Sequence, residues 1–260
     1  MNFLRNLNFI FMHHEQSAAM AAEAFYRINN KLAILSVTSG PGGTNAITGV
    51  IGAWIDSVPM IIISGQVESK DMILKSQTRQ IGIQEANIND IIKPITKYSK
   101  VLTKNCNIEF ELSIALRIAT EGRPGPVWID VPLDIQSQKF DKKKINYNKI
   151  KKYYSNTLDN KKISRTLKLI NESKRPTILI GNGVHISKSE KKFLKFLKKT
   201  NIPFLSTWNA SDIVPSNNKL YFGRPGLFGN RIANFVIQSC DLLIIIGSRL
   251  SVPITGYQMK

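Results

Sequence analysis

The sequence is poor in cysteine, in histidine and in long apolar runs. Its two cysteines, Cys106 and Cys240, lie far apart and follow no metal-binding spacing, so a disulfide framework is excluded and reduced thiols are expected. No window approaches the ~18 uncharged apolar residues that a membrane-spanning helix needs, and no membrane partner is predicted. Residues 1–12 lack a clean apolar core and a small-residue cleavage site, so they are predicted to belong to the fold.

Acidic residues are also scarce, since 18 of them stand against 36 basic ones and leave a net charge of +18. Such an imbalance is common in nucleic-acid-binding proteins. Most of the basic residues are lysines, and they crowd into residues 139–152 and 188–199. A lysine-, isoleucine- and asparagine-rich chain also fits an AT-rich coding bias. A solvated surface is therefore expected, with polyanion binding as the alternative and no specific nucleic-acid partner.

Short apolar runs without alternation, separated by helical stretches, are typical of parallel strands that are covered on both faces. The fold class is predicted as α/β, with two doubly wound, Rossmann-like parallel-sheet domains over residues 1–135 and 158–260 and a lysine-rich linker over 136–157. Helices are predicted over residues 14–29, 44–55, 108–120, 162–173, 188–199 and 229–239. Strands are predicted over residues 9–13, 32–37 (buried on both faces), 59–64, 127–131, 176–181, 202–206 and 241–247.

A glycine-rich turn, Thr38–Asn45, lies between a predicted strand and a predicted helix. Its three glycines let the backbone turn sharply and approach a ligand closely, and free N–H groups at the helix start favour an anion or a polar ring. The turn matches neither a Walker loop nor the dinucleotide-binding fingerprint, which Pro41 interrupts. A tight strand-to-helix connection without a ligand remains the alternative.

Glu15 falls where the predicted strand 9–13 ends and a helix begins. The carboxyl ends of strands line the ligand crevice of open α/β sheets, so Glu15 is a candidate general acid or base. The alternative is a helix-start glutamate that favours the helix dipole. Adjacent strand residues face opposite sides, so His13 and His14 are not expected to bind a metal together, and no metal site is predicted. Arg123, in a proline–glycine turn, is either a phosphate-binding residue or a surface turn residue.

Five motifs then occur in a fixed order: HHEQSAAMAAEAF, VTSGPGGTNAITGV, DSVPMIIISGQV, RQIGIQEANINDIIKPITKY and EGRPGPVWIDVPLDIQ. Together they resemble the pyrimidine-binding domain of thiamine-diphosphate-dependent enzymes of the acetolactate synthase family. The later motifs ILIGNGVH and GRPGLFGNRIANFVIQSCDLLIIIGSRLSVPITGY resemble that family's central domain. The resemblance covers nearly all of the chain, and several ordered motifs are far more specific than one.

The resemblance implies that Glu15 is the catalytic residue, which hydrogen-bonds N1′ of the aminopyrimidine ring and favours its imino tautomer. Such a carboxylate works best in a poorly hydrated site, which is expected to raise its pKa. The resemblance also implies a set of thiamine-diphosphate-binding residues: Gly40, Pro41, Gly42, Gly43, Asn45, Gln66 and Gln84. Ile83 stands where many relatives carry an aromatic residue, so the pocket is expected to differ in shape.

The central domain of acetolactate synthases holds FAD, so the resemblance implies a second set of cofactor positions. These candidate FAD contacts are Arg123, Gly226, Leu227, Gly229 and Arg249. Phe228 stands where many relatives have histidine, and several branches of the wider family have lost FAD. A central domain that only buttresses a dimer is therefore the alternative.

The resemblance further implies that the first domain lacks its opening strand and helix, and that the domain carrying the Mg²⁺ and diphosphate site is absent. The expected function is part of a cytoplasmic carboligase that converts 2-oxo acids, such as pyruvate to acetolactate for branched-chain amino-acid synthesis, and that is inactive alone. The expected partners are further copies, as a dimer or tetramer, or a separate chain with the diphosphate-binding domain. Other carboligases of the superfamily, a split or decayed gene, and a non-catalytic FAD-binding module remain alternatives.

Overall fold

The computed structural model describes residues 8–73, 78–138 and 159–256. The chain divides into two compact units, Met1–Ser155 and Asn156–Lys260. The predicted linker, residues 136–157, lies outside the described residues except for its first three positions. Each unit contains a parallel sheet with helices packed on both faces, which confirms the predicted fold class. Within the described ranges, no helix combines the length and the apolar character needed to cross a membrane.

The first unit has a four-stranded parallel sheet in the order β1-β2-β4-β3. Its strands are β1 (Ile34–Val37), β2 (Met60–Gln66), β3 (Tyr98–Val101) and β4 (Pro126–Pro132). Its helices are α1 (Glu15–Asn29), α2 (Pro41–Asp56), α3 (Ile88–Ile92), α4 (Ile108–Thr120) and α5 (Leu133–Gln136). One core packs α1, α2 and α3 against one face of the sheet, and a second core packs α4 and α5 against the other face.

Small residues let α1 and α2 lie unusually close together. A Cβ atom added to Gly49 of α2 would lie 2.5 Å from the Cβ of Ala19 in α1, closer than two carbon atoms can approach. Both residues are buried, and both helices bury their apolar face against the sheet. Alanine and glycine at this contact therefore fix how the starts of the two helices are placed relative to each other.

Two strand predictions for this unit need correction. Residues 9–13 form no strand, and Ile10 and Phe11 are 82% and 92% exposed, because no described strand lies beside them to complete a hydrogen-bonded ladder. The strand predicted over 32–37 is shorter and is not buried on both faces. As β1 it occupies the edge of the sheet, where Leu35 and Val37 are buried while Ile34 and Ser36 are exposed.

The second unit has a three-stranded parallel sheet in the order β6-β5-β7. Its strands are β5 (Pro176–Ile180), β6 (Phe204–Ser206) and β7 (Leu242–Ile246). Its helices are α6 (Asn160–Glu172), α7 (Gly183–Ile186), α8 (Glu190–Thr200), α9 (Arg231–Ser239) and α10 (Val252–Thr255). Phe193 and Leu197 of α8 pack on one face, and Ala233 of α9 packs on the other, as expected for a doubly wound sheet.

Candidate functional site

Glu15 lies in the first turn of α1, beside the glycine-rich turn that opens α2. His14 caps the helix, since its Nδ1 atom accepts the backbone N–H of Gln16 at 3.1 Å. The Nδ2 atom of Asn45 donates to the Oε2 atom of Glu15 at 3.2 Å. A Cβ atom at Gly42 would lie 3.7 Å from the other carboxylate oxygen, Oε1. The structure thus brings the predicted residues Glu15, Gly42 and Asn45 together, with the Oε1 atom facing the glycine turn.

The register of the two helices explains this meeting. Ala19 is one helical turn after Glu15, and Gly49 is one turn after Asn45. The close contact of Ala19 with Gly49 therefore brings the preceding turns within hydrogen-bonding distance. At the far end of the same helix pair, Arg27 of α1 bonds Asp56 of α2 at 2.6 Å. The side chains of Glu15 and Asn45 meet because the whole helix pair is packed in this register.

The environment of Glu15 lowers its pKa, contrary to the expected rise. The main cause is a hydrogen bond from the backbone at the helix start, and the amide of Asn45 adds to it. Burial acts in the opposite direction but does not prevail, because the side chain is only half-buried. The poorly hydrated pocket predicted from the sequence is therefore not formed by these residues. Glu15 is an anionic acceptor at neutral pH.

The predicted residues Gly40 and Gln84 lie in direct backbone contact. A Cβ atom at Gly40 would lie 2.0 Å from the carbonyl oxygen of Gln84, so only glycine fits there, and its φ of 55° also favours glycine. Gln84 itself has a φ of 58°, in the left-handed region that non-glycine residues seldom adopt. An open cavity of about 610 Å³ lies beside this contact and is lined by Gly40, Pro41, Thr44 and residues 80–86.

Gly43 and Gln66, also predicted to line the site, are turned into the protein. A Cβ atom at Gly43 would lie 3.1 Å from the side chain of Ile88 in α3, so this glycine serves helix packing. Gln66 is 5% exposed, and its amide bonds Val67, Ala86 and Asp130. Gln66 is therefore connected to the cavity through its hydrogen bond to the carbonyl of Ala86, one of the lining residues.

Two buried carboxylates near this site were not among the predicted residues. Asp130 accepts hydrogen bonds from Ser64 and Gln66, and burial raises its pKa to about 6 although both hydrogen bonds act to lower it. Glu85 accepts the backbone N–H groups of Ile73, Ile81 and Gly82. The sequence does place a carboxylate inside the apolar run Val127–Val131, which is an unusual position for an unpaired charge.

The candidate FAD contacts fall in different units. Arg123 lies in the first unit, where its Nε atom donates to the Ser57 hydroxyl at 2.6 Å and its Nη2 atom to the Ile55 carbonyl at 3.4 Å. It thereby binds the carboxyl end of α2, which is a structural role.

The other four candidates, Gly226, Leu227, Gly229 and Arg249, lie in the second unit. Gly226 has a φ of 114°, and its backbone N–H and carbonyl bond the side chain of Asn234. Leu227 donates its N–H to the Pro253 carbonyl at 2.8 Å, and a Cβ atom at Gly229 would lie 2.3 Å from the Arg224 carbonyl oxygen. Arg249 is exposed.

Comparisons with known proteins match each of the two units to a different domain model. The family model for the thiamine pyrophosphate enzyme N-terminal TPP binding domain matches residues 2–88, and the one for the central domain of thiamine pyrophosphate enzymes matches residues 163–259. Among the described residues, no group of three or more His, Cys, Asp and Glu side chains forms a metal-binding cluster.

Several curated proteins align with nearly the whole chain. The probable acetolactate synthase large subunit of Methanocaldococcus jannaschii is 37% identical over 254 residues, which are 95% of this chain and 42% of the relative. The acetolactate synthase large subunit of Corynebacterium glutamicum is 35% identical over 250 residues, 95% of this chain and 39% of the relative. The acetolactate synthase large subunit of Lactococcus lactis subsp. lactis is 33% identical over 241 residues, which are 92% of this chain and 41% of the relative. The chain spans about 40% of the length of these relatives.

Proposed function

Because the chain belongs to the family of thiamine pyrophosphate enzymes, we propose that it provides the pyrimidine-binding part of a thiamine-diphosphate-dependent carboligase acting on 2-oxo acids. The proposed reaction is that of an acetolactate synthase, from pyruvate to acetolactate, in cytoplasmic branched-chain amino-acid synthesis. The observation that carries the proposal is the placement of the Glu15 carboxylate between Asn45 and the glycine turn.

The residues present fit the aminopyrimidine ring of the cofactor. Gly40 and Gly42 let the turn pack closely against the Gln84 carbonyl and the Thr38 side chain, since a Cβ atom would lie 2.0 Å and 2.6 Å from them, and this packing holds the turn beside the Glu15 carboxylate. Glu15 offers an anionic oxygen as an acceptor, and Asn45 holds the other oxygen in place. When bound, thiamine diphosphate supplies the carbon nucleophile of the reaction. The role of Glu15 is to hold a proton at ring atom N1′, for which a low carboxyl pKa favours the proton on the ring side.

The proposed activity also needs groups that bind Mg²⁺ and the cofactor diphosphate. The proposed partners are a separate chain with a diphosphate-binding domain, which would supply these groups, or further copies of the chain in a dimer or tetramer. Exposed apolar side chains support an assembly, since Ile10 and Phe11, which are adjacent in the sequence, are 82% and 92% exposed. Apolar side chains exposed next to one another are typical of surfaces that bind another protein.

Reconstitution tests the proposed function. The 260-residue chain is mixed with a separately expressed diphosphate-binding domain of an acetolactate synthase, thiamine diphosphate, Mg²⁺ and pyruvate. We expect acetolactate to form only when both polypeptides are present. Folded polypeptides that form a complex but yield no acetolactate would contradict the proposal.

A second candidate function is binding of FAD by the second unit. The loop that contains Gly223 and Gly226, with φ angles of 100° and 114°, favours it because such backbone can approach a nucleotide closely. Free FAD is fluorescent, so binding is measured as a change in flavin fluorescence on titration with the chain. We expect saturation at one FAD per chain, and Gly226→Val should abolish it because the Pro253 carbonyl leaves no room for a side chain. Unchanged fluorescence with the wild-type chain would remove this candidate.

A further inference from the structure

A series of buried hydrogen bonds runs from β4 through β2 to the loop of residues 80–86. Asp130 of β4 accepts from the side-chain nitrogen of Gln66 at the end of β2, and the same nitrogen donates to the Ala86 carbonyl. We propose that Asp130 and Gln66 are positioning residues, which hold the loop 80–86 against Gly40 and thereby place Gln84 at the site. The role of that site rests on the proposed function, whereas the positioning of the loop does not.

The direction of each hydrogen bond follows from the partners. The Oε1 atom of Gln66 accepts the N–H of Val67 at 2.9 Å, so its NH₂ group must face Asp130 at 3.0 Å and the Ala86 carbonyl at 3.2 Å. Both hydrogens of that group are then used, one for each acceptor. Asp130 therefore determines the orientation in which Gln66 can donate to the loop.

A second donor completes the environment of Asp130. Trp128 donates its indole N–H to the Oγ atom of Ser64 at 2.7 Å, so the hydroxyl proton of Ser64 points to Asp130, at 2.5 Å. Ser64 and Gln66 thus both require an acceptor at position 130. A carboxylate satisfies both, whereas an asparagine offers one acceptor and one donor group. Asparagine at position 130 can therefore keep the bond from Gln66 and lose only the one from Ser64, whereas leucine, which has a similar size and no acceptor, removes both.

The loop itself is held together by Glu85, the neighbour of Ala86. Its carboxylate accepts the N–H groups of Ile81 and Gly82, each at 3.3 Å, and also that of Ile73. Glu85 in turn donates its own N–H to the Gly82 carbonyl at 3.1 Å. The loop is consequently one internally bonded unit, and a shift of Ala86 is transmitted to the Gln84 carbonyl, which touches Gly40.

The strand pairing does not need these side chains. The parallel pairing of β2 with β4 covers Met60–Gln66 and Pro126–Pro132 through backbone groups alone. A buried carboxylate with a raised pKa is costly compared with an apolar residue at the same place. The network therefore contributes something other than strand pairing. Its described side-chain bonds outside the two strands go to Val67, the residue that follows β2, and to Ala86 of the loop.

The test compares two variants of the same buried network in the 260-residue chain. Asp130→Leu removes the acceptor that orients Gln66, whereas Ser64→Ala removes the Trp128 and Ser64 bonds but leaves Gln66 bonded to Asp130 and Ala86. Amide hydrogen exchange is measured at Ile81, Gly82 and Glu85. We expect Asp130→Leu to accelerate exchange there roughly tenfold, the factor that corresponds to one lost buried hydrogen bond. Ser64→Ala should leave these rates within about threefold of wild type, although it also removes buried hydrogen bonds.

Equal acceleration in both variants, or none in Asp130→Leu, would overturn the inference. Gln66→Met keeps the size of the side chain without its hydrogen bonds and should loosen the same amides. It decides the question if Asp130→Leu does not fold. In the reconstituted reaction, Asp130→Leu should raise the KM for pyruvate more than Ser64→Ala does. If the wild-type reconstitution yields no acetolactate, the proposed function fails while the exchange result still decides the positioning role.

Discussion

At the scale of single residues, two carboxylates of the first unit respond in opposite ways to their surroundings. Glu15 is half-buried at a helix start, and backbone and amide hydrogen bonds lower its pKa. Asp130 is 1% exposed, and burial raises its pKa to about 6. At neutral pH both are ionised, but only Asp130 is close to a protonation change.

The raised pKa of Asp130 predicts a specific dependence of stability on pH. The folded chain holds the proton more tightly than the unfolded chain, whose reference pKa is 3.8, so folding stability falls as the pH rises from about 4 to about 6. The loss approaches about 3 kcal/mol, since each pKa unit corresponds to about 1.4 kcal/mol. Above pH 6 this contribution is constant.

Urea unfolding of the wild type and of Asp130→Asn at pH 4 and pH 7 measures this contribution. The difference between the two proteins isolates Asp130, because the other groups titrate equally in both. One such group is Asp241, whose pKa is lowered to about 2 by hydrogen bonds from Ser173, Lys174 and Arg175. We expect the variant to gain stability relative to wild type between pH 4 and pH 7. A difference that does not change with pH would show that Asp130 titrates normally.

At the scale of secondary-structure elements, the contact of α1 with α2 determines the candidate site. We predict that Gly49→Ala destabilises the protein by about 1–3 kcal/mol, because the new methyl group would lie 2.5 Å from the Cβ of Ala19 and the helices must separate. The matched control is Gly52→Ala on the same helix, whose methyl group meets only the end of Glu23 at 3.5 Å. The control should be neutral or slightly stabilising, since alanine favours helix over glycine.

Urea unfolding measures both variants, and the side-chain amide resonance of Asn45 reports the bond to Glu15. In Gly49→Ala that resonance should shift towards the position of a solvated amide, and in Gly52→Ala it should stay. Similar stability and an unchanged Asn45 resonance in both variants would show that the helix contact does not place Glu15.

The elements also show what sequence reasoning captures. The helix predicted over 108–120 coincides with α4, because Asn107 caps it and two glutamates occupy its first turn. β3 was not predicted, since Tyr98–Val101 is short, polar and only partly buried. The strand predicted over 9–13 is wrong, because apolar composition alone does not provide a neighbouring strand.

The same limit applies to the site. The family resemblance implies that Glu15 and the glycine turn line one site, and the structure brings them together. The roles of Gln66 and Asp130 depend on which way two side chains point at adjacent strand ends, which the sequence does not specify. The half-buried state of Glu15 was likewise beyond the sequence, because it depends on what packs above the helix start.

At the scale of the whole molecule, the two units match two domains of one enzyme family. The chain spans about 40% of the length of its relatives. In the proposed activity, the contribution of this chain is the Glu15 carboxylate, which we propose to contact the pyrimidine ring. A net charge of +18 favours acidic partners and cofactors with phosphate groups, and it makes their binding sensitive to salt.

The most direct test of the central claim is a double-substitution cycle between Glu15 and ring atom N1′. Turnover of the reconstituted complex is measured for wild type and Glu15→Gln, each with thiamine diphosphate and with an analogue in which N1′ is replaced by carbon. If Glu15 acts through N1′, either change alone should slow turnover by several orders of magnitude, about 10² to 10⁴. The second change should then add almost nothing. Independent, additive losses would contradict the claim that this carboxylate contacts the ring nitrogen.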